Sequence, residues 1–144
     1  MSLYGCSQRT TATTAASPSW EVRSTSTNKP RVFELGLSQN TGVAGVYGIG
    51  RPSASGVGPT SPVTFVDEGD GNAPTAQTTC CVAWTTTAPT APNAFNRRIS
   101  CAATVGVGAI FTFPRGLGIP VSGSIVVWII ATAPVCDVYC VVDE

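Results

Sequence analysis

The chain is predicted to be all-β: a two-sheet β-sandwich or jelly roll of about eight strands, preceded by an extended N-terminal arm. Three observations lead there. Short apolar stretches recur between Gly- and Pro-rich turns. No window holds a 3.6-residue apolar period for as long as a helix needs. The last third contains two strand-forming runs, 124–133 and 135–142, divided by a single proline. Strands alone, with no helix to cover them, must bury their apolar faces against each other in two layers.

Residues 1–30 read differently from the rest. Twelve of these thirty are Ser or Thr, and 8–19 has neither helical nor strand periodicity. Such a stretch buries too little surface by itself to offset the entropy of ordering it. It is expected to be an arm, mobile or laid across a partner, with Tyr4 and Trp20 as its anchors. The division is therefore 1–30 for the arm and 31–144 for the sandwich domain.

From Arg31 the strands follow in order. Residues 31–38 alternate, which puts Phe33, Leu35 and Leu37 on one face with Val32 and Glu34 on the other. A strand at 45–51 is followed by a Gly/Pro/Ser loop. Further strands are expected at 62–68, closed by an acidic turn, and at 78–84. Then come 95–104, 109–115, 124–133 and 135–142. Residues 125–130 are apolar at every position, so both faces of that strand should be covered. One cover is the core. The other is a subunit or partner, or else the arm or a long loop.

Composition limits the chemistry. Charged residues are 11% of the chain, against about a quarter in ordinary domains, and formal net charge is zero. Nucleic-acid and membrane-surface binding both call for excess positive charge, so neither partner is expected. A surface so poor in charge is weakly protected against association. There is no histidine, which removes the commonest general base and metal ligand, and there is one lysine. The N-terminus has no apolar segment of the secretory kind, and 125–133 is too short to span a bilayer. A soluble protein made in a cytoplasm is expected.

Six cysteines do not form a recognisable framework. Cys80 and Cys81 are adjacent and point to opposite faces of a strand. Cys136 and Cys140 lie roughly 13 Å apart along one strand, too far for a disulfide. With no CxxC pair there is no zinc pattern. Buried free thiols in a reducing compartment are expected, with a bond from Cys101 to Cys136 or Cys140 as the alternative.

No constellation suggests an enzyme, a metal or a cofactor. Asp67, Glu68, Asp70 and Asn72 form the densest group of oxygen ligands but lack calcium-loop spacing and read as a solvated turn. Acids gathered in one turn cannot face each other across a cleft, as glycoside hydrolysis requires. The GxG elements lack the strand-to-helix setting of a phosphate loop. Arg51, Arg97, Arg98 and Arg115 suit interface ion pairs, where Arg is preferred over Lys. The expected partner-binding set is Tyr4, Trp20, Arg23, Arg31 and Arg51.

RVFELGLSQ with GVYGIGRPSA, and the stretch from APNAFNRRISC through FPRGLG and SIVVWIIATA to the terminal VVDE, resemble small capsid cement (decoration) proteins of tailed-phage heads. The resemblance covers about Arg31 to Glu144. It implies a jelly-roll virion protein that binds the major capsid protein on the shell exterior at capsomer junctions, as a dimer or trimer, and stabilises the shell. The Thr-rich arm and the six cysteines depart from that pattern. A receptor- or carbohydrate-binding module of a tail or head fibre is the alternative.

Overall fold

A computed structural model describes residues 2–12, 14–69 and 71–144, and among these residues strands form and helices do not. The strands are β1 (Leu3–Arg9), β2 (Ser17–Arg23), β3 (Arg31–Gln39), β4 (Gly45–Pro52), β5 (Val57–Pro59), β6 (Val63–Thr64) and β7 (Val66–Asp67). They continue as β8 (Thr79–Cys81), β9 (Trp84–Thr87), β10 (Pro92–Cys101), β11 (Gly108–Gly118), β12 (Ser124–Ala131) and β13 (Cys136–Asp143). One sheet has the order β11-β3-β13-β1-β7, a second β10-β4-β12-β2-β8-β6, and β5 and β9 form a separate ribbon.

Eight long strands make the framework, in antiparallel pairs β1–β13, β2–β12, β3–β11 and β4–β10. That pairing is a long hairpin in which successive strand pairs alternate between two layers. The roll closes where β13 also pairs β3 and β12 also pairs β4. This is jelly-roll order. The all-β sandwich expected from the sequence is the observed architecture, but the eight strands are not the eight expected. Stretches 62–68 and 78–84 contribute only short pieces, while β1 and β2 come from the segment read as an arm.

That segment is part of the sandwich. β1 lies between β13 and β7, and β2 lies between β12 and β8. Tyr4, Cys6, Trp20 and Val22 enter the core with Leu35, Ile49, Ile125, Val127 and Val138. The Ser and Thr residues around them hide the period because few apolar side chains mark the inward face of either strand. Each carries only one inward pair, Tyr4/Cys6 and Trp20/Val22, and period two is hard to see over so few residues. Burial of such side chains contributes roughly 1.5–3 kcal/mol each, which two isolated strands could not realise without their partners.

A bulge also alters the reading of β3. Val141 partners Glu34 and Val142 partners Val32, so Phe33 is skipped. β11 skips it as well, moving from Glu34 to Val32. Val32 therefore joins Leu35 and Leu37 in the core, and Phe33 turns to the outer face, where it borders Leu3, Glu34, Glu68 and Val141. The extra residue reverses the alternation on one side of it.

The apolar run of β12 is covered on both faces by the chain itself. Ile125, Val127 and Ile129 face the core. On the other side, the ribbon and its flanking loops fold over β2 and β12, and Ser55 bonds Ser124 at 3.0 Å. Phe95 lies over Gly48, the ladder partner of Trp128, where a β-carbon would collide with its ring. The long connection between β4 and β10, rather than a partner, accounts for the double burial. Trp128 is thus buried outside the central core, and it is Trp20 that occupies the core.

Candidate docking surfaces

Beneath the ribbon sits a buried polar clamp. Glu21 is 0% exposed, and its carboxylate accepts from the backbone N–H of Gly56 at 2.9 Å, from Trp84 Nε1 at 2.7 Å and from Arg23 Nη1 at 3.1 Å. Arg23 also donates to the Gly56 carbonyl. A buried charge persists only when its hydrogen bonds are supplied, and here three donors supply them. Cys81 points into this clamp, while Cys80 on the opposite face enters the core. Burial pushes the Cys81 thiol up to about 12.

All six cysteines are free and buried. Cys6 stands opposite Cys140 in the β1–β13 ladder. The Cys136 thiol donates to Tyr47 Oη at 2.9 Å rather than joining Cys101, and burial pushes it up to about 11. These thiols fill space as small apolar side chains.

The expected partner-binding residues separate into two groups. Tyr4 is buried and donates its hydroxyl to the Pro74 carbonyl at 2.9 Å; Trp20 is 0% exposed and donates its indole N–H to Gln8. Neither can anchor an arm on a partner, because both are buried in the core of the sandwich. Arg23 is committed to Glu21. Arg31 and Arg51 are exposed, and the fold brings them to one edge.

At that edge β11 and β10 end their sheets side by side. Arg97 reaches from β10 across the gap and lies 5.0 Å from the centre of the Phe113 ring, and Arg98 lies 6.0 Å from that of Phe95. Such cation–π contacts hold the guanidinium groups in place without neutralising them. Arg97 and Arg115 border one hollow with Leu117; Lys29, Arg31 and Arg51 border the next with Ile119. Arg51 donates two bonds to the Gly118 carbonyl, at 3.0 and 2.6 Å, and Arg31 donates to that of Arg115 at 3.5 Å. The ion pairs among the described residues are Arg9–Asp137 and Arg23–Glu21, so none of these six cations is paired with a carboxylate.

A second surface is the outer face of the five-stranded sheet. Tyr139 lies flat over Gly36, its ladder partner, because a β-carbon there would run into the ring. Its hydroxyl donates to Glu34 Oε1 at 2.6 Å, which pushes the tyrosine up to about 12. Ile110, opposite Gly36 on the other side, is 63% exposed. Half-buried Phe33 and Val141 continue the face toward exposed Leu3. Arg9 and Asp137 close its other end with a bidentate pair at 2.7 and 2.9 Å, and that bond holds the Asp137 carboxyl below its usual range.

The acidic turn is used for geometry. Asp67 accepts from the backbone N–H groups of Gly69 at 3.1 Å and Gly71 at 2.8 Å. Asp70, expected in the same group, lies outside the described residues.

Comparison with protein-family models, curated proteins and solved structures finds no match.

Sequence reasoning does not reach the outer sheet face or the gathering of cations at the β10/β11 edge. Strict alternation groups Phe33 with Leu35 and Leu37, which the bulge reverses, and Ile110 gives no local sign of lying on a flat, open sheet. Gly36, the ladder partner of both Tyr139 and Ile110, was the available signal, since a glycine inside a strand marks close approach.

Proposed function

We propose that this chain is a structural, non-enzymatic component of a virion: a decoration protein that docks on the exterior of a tailed-phage capsid at capsomer junctions and stabilises the shell. The carrying observation is the outer face of the five-stranded sheet, where Ile110, Tyr139, Val141, Phe33 and Leu3 form a broad, shallow apolar surface on a rigid roll. A preformed flat face suits a flat protein partner, and docking on it costs little ordering entropy. The major capsid protein is the partner named by the motif resemblance. Modest contacts suffice, because many copies on one shell act together through effective concentration.

Rigidity supports the same reading. The N-terminal and C-terminal strands pair along their length, so the roll is closed by its own ends. A protein that must resist outward pressure on a shell benefits from such closure. The glycan-binding alternative asks for an exposed indole, but Trp20 and Trp128 are buried and Trp84 is tied to Glu21.

Stoichiometry tests the proposal. Quantitative mass spectrometry of purified virions should find this chain equimolar with the major capsid protein or at a simple fraction of it. A few copies per particle, or none, would overturn the reading. Ile110→Lys, on a side chain already mostly in solvent, should weaken binding to purified shells while leaving Tm unchanged.

A further inference from the structure

Formal neutrality conceals a separation of charge. Six of the eight cations, Lys29, Arg31, Arg51, Arg97, Arg98 and Arg115, collect at the β10/β11 edge and are exposed. The acids beside this edge are Glu34, opposite Thr112 of β11 and bonded to Tyr139, Asp143, the ladder partner of Arg31, and Glu144, bonded to Asn28; none of them forms an ion pair among the described residues. At the far edge of the same sheets lie β6 and β7, with Asp67 half-buried and Glu68 exposed. Neither forms an ion pair among the described residues. In the five-stranded sheet the two edges are four strand spacings apart, about 19 Å. No side chain of one group can reach the other within a single chain.

Each edge also carries apolar surface beside its charge. Val66 is 67% exposed and Val63 39% exposed at the acidic edge. Exposed Pro114 and half-buried Leu117 flank the arginines at the other. Apolar contact beside paired charge is the ordinary make-up of a specific interface. The arginines are already ordered on Phe113 and Phe95, so pairing them loses less side-chain freedom than pairing mobile lysines would.

We propose that the arginine edge at β10 and β11 binds a second copy of this chain, by its β6/β7 edge, around Glu68 and Val66. The two surfaces differ, so the contact is head-to-tail. Repetition of a head-to-tail contact closes into a ring or continues as a filament. Glu68 shares a hollow with Leu3, Phe33 and Val141, so the contact covers that end of the outer sheet face and leaves Ile110 and Tyr139 open.

The test is sedimentation velocity of the full chain at low and at high salt. The wild type should form oligomers that dissociate as salt rises, because the contact is electrostatic. Arg97→Glu with Arg115→Glu should give monomers, and so should Glu68→Arg alone. Arg98→Glu, outside the hollow, provides a second edge variant should the double variant fold poorly. Mixing the arginine-edge variant with Glu68→Arg should restore association, since each supplies the edge that the other lacks. A wild type that stays monomeric at low salt and high concentration overturns the proposal. So does association that neither reversal weakens. Arginine-edge monomers that still bind shells would leave the decoration reading standing, and oligomers that ignore shells would count against that reading alone.

Discussion

Trp20 Nε1 donates to Gln8 Oε1 at 2.8 Å, and this bond joins β2 of the six-stranded sheet to β1 of the five-stranded sheet. The N-terminal segment thereby serves as a brace across the interior. The brace makes the first prediction. Trp20→Ala should destabilise the fold by about 3–5 kcal/mol, as loss of a large core aromatic does. Trp20→Phe keeps the ring but loses the bond and should cost much less. Urea unfolding of both variants separates packing from hydrogen bonding, and equal losses would contradict the assignment.

Deleting residues 2–28 should abolish folding rather than leave a competent domain. It removes two inner strands, β1 and β2, and exposes the ladder edges of β13 and β12. Circular dichroism and near-ultraviolet tryptophan signals would show the loss. A folded truncation with cooperative unfolding would refute the brace.

Glu21→Ala should cost about 3–5 kcal/mol, because it strands the donors of Gly56, Trp84 and Arg23 beneath the ribbon. The damage should be local first. Amide exchange is expected to accelerate around Gly56 and from Trp84 to Thr87, while β1 and β13 stay protected. Uniform acceleration would mean that the clamp holds the whole roll rather than its cover.

Gly36→Ala should destabilise by about 1–3 kcal/mol, since the new methyl group displaces the Tyr139 ring and its bond to Glu34. Tyr139→Ala should relieve most of that clash, so the double variant should lose less than the sum of the two singles. Additive losses would show that the ring does not rest on Gly36.

Alkaline pH should weaken the fold. Burial holds the thiols of Cys136 and Cys81 above their ordinary value of 9.0, at about 11 and about 12, and Glu34 holds Tyr139 up to about 12. Each group keeps its proton more tightly when folded. Their contribution is complete below the unfolded value and is lost as pH rises toward the folded one. Tm should fall progressively from about pH 9 upward. A flat profile across that window would mean that the thiols ionise without unfolding.

Much of the architecture was legible from local pattern. Residues 125–130 demanded burial on both faces, and the adjacent thiols Cys80 and Cys81 demanded opposite environments; both requirements are met. The open sheet face was not legible, because Phe33 changes sides at a bulge that only the neighbouring ladders create. Nor was the arginine edge, since Arg31, Arg51, Arg97 and Arg115 are far apart in sequence and meet only where β3, β4, β10 and β11 lie side by side.

Strand type, turn positions and the absence of helical period are short-range properties, written in neighbouring residues, and the all-β class follows from them alone. Pairing is long-range. Whether Ser17–Arg23 floats free or becomes an inner strand depends on β12 and β8 lying ready to receive it. The same holds for charge: composition gives a net value of zero, and the roll gathers six of the eight cations at one edge while Asp67 and Glu68 stand at the other.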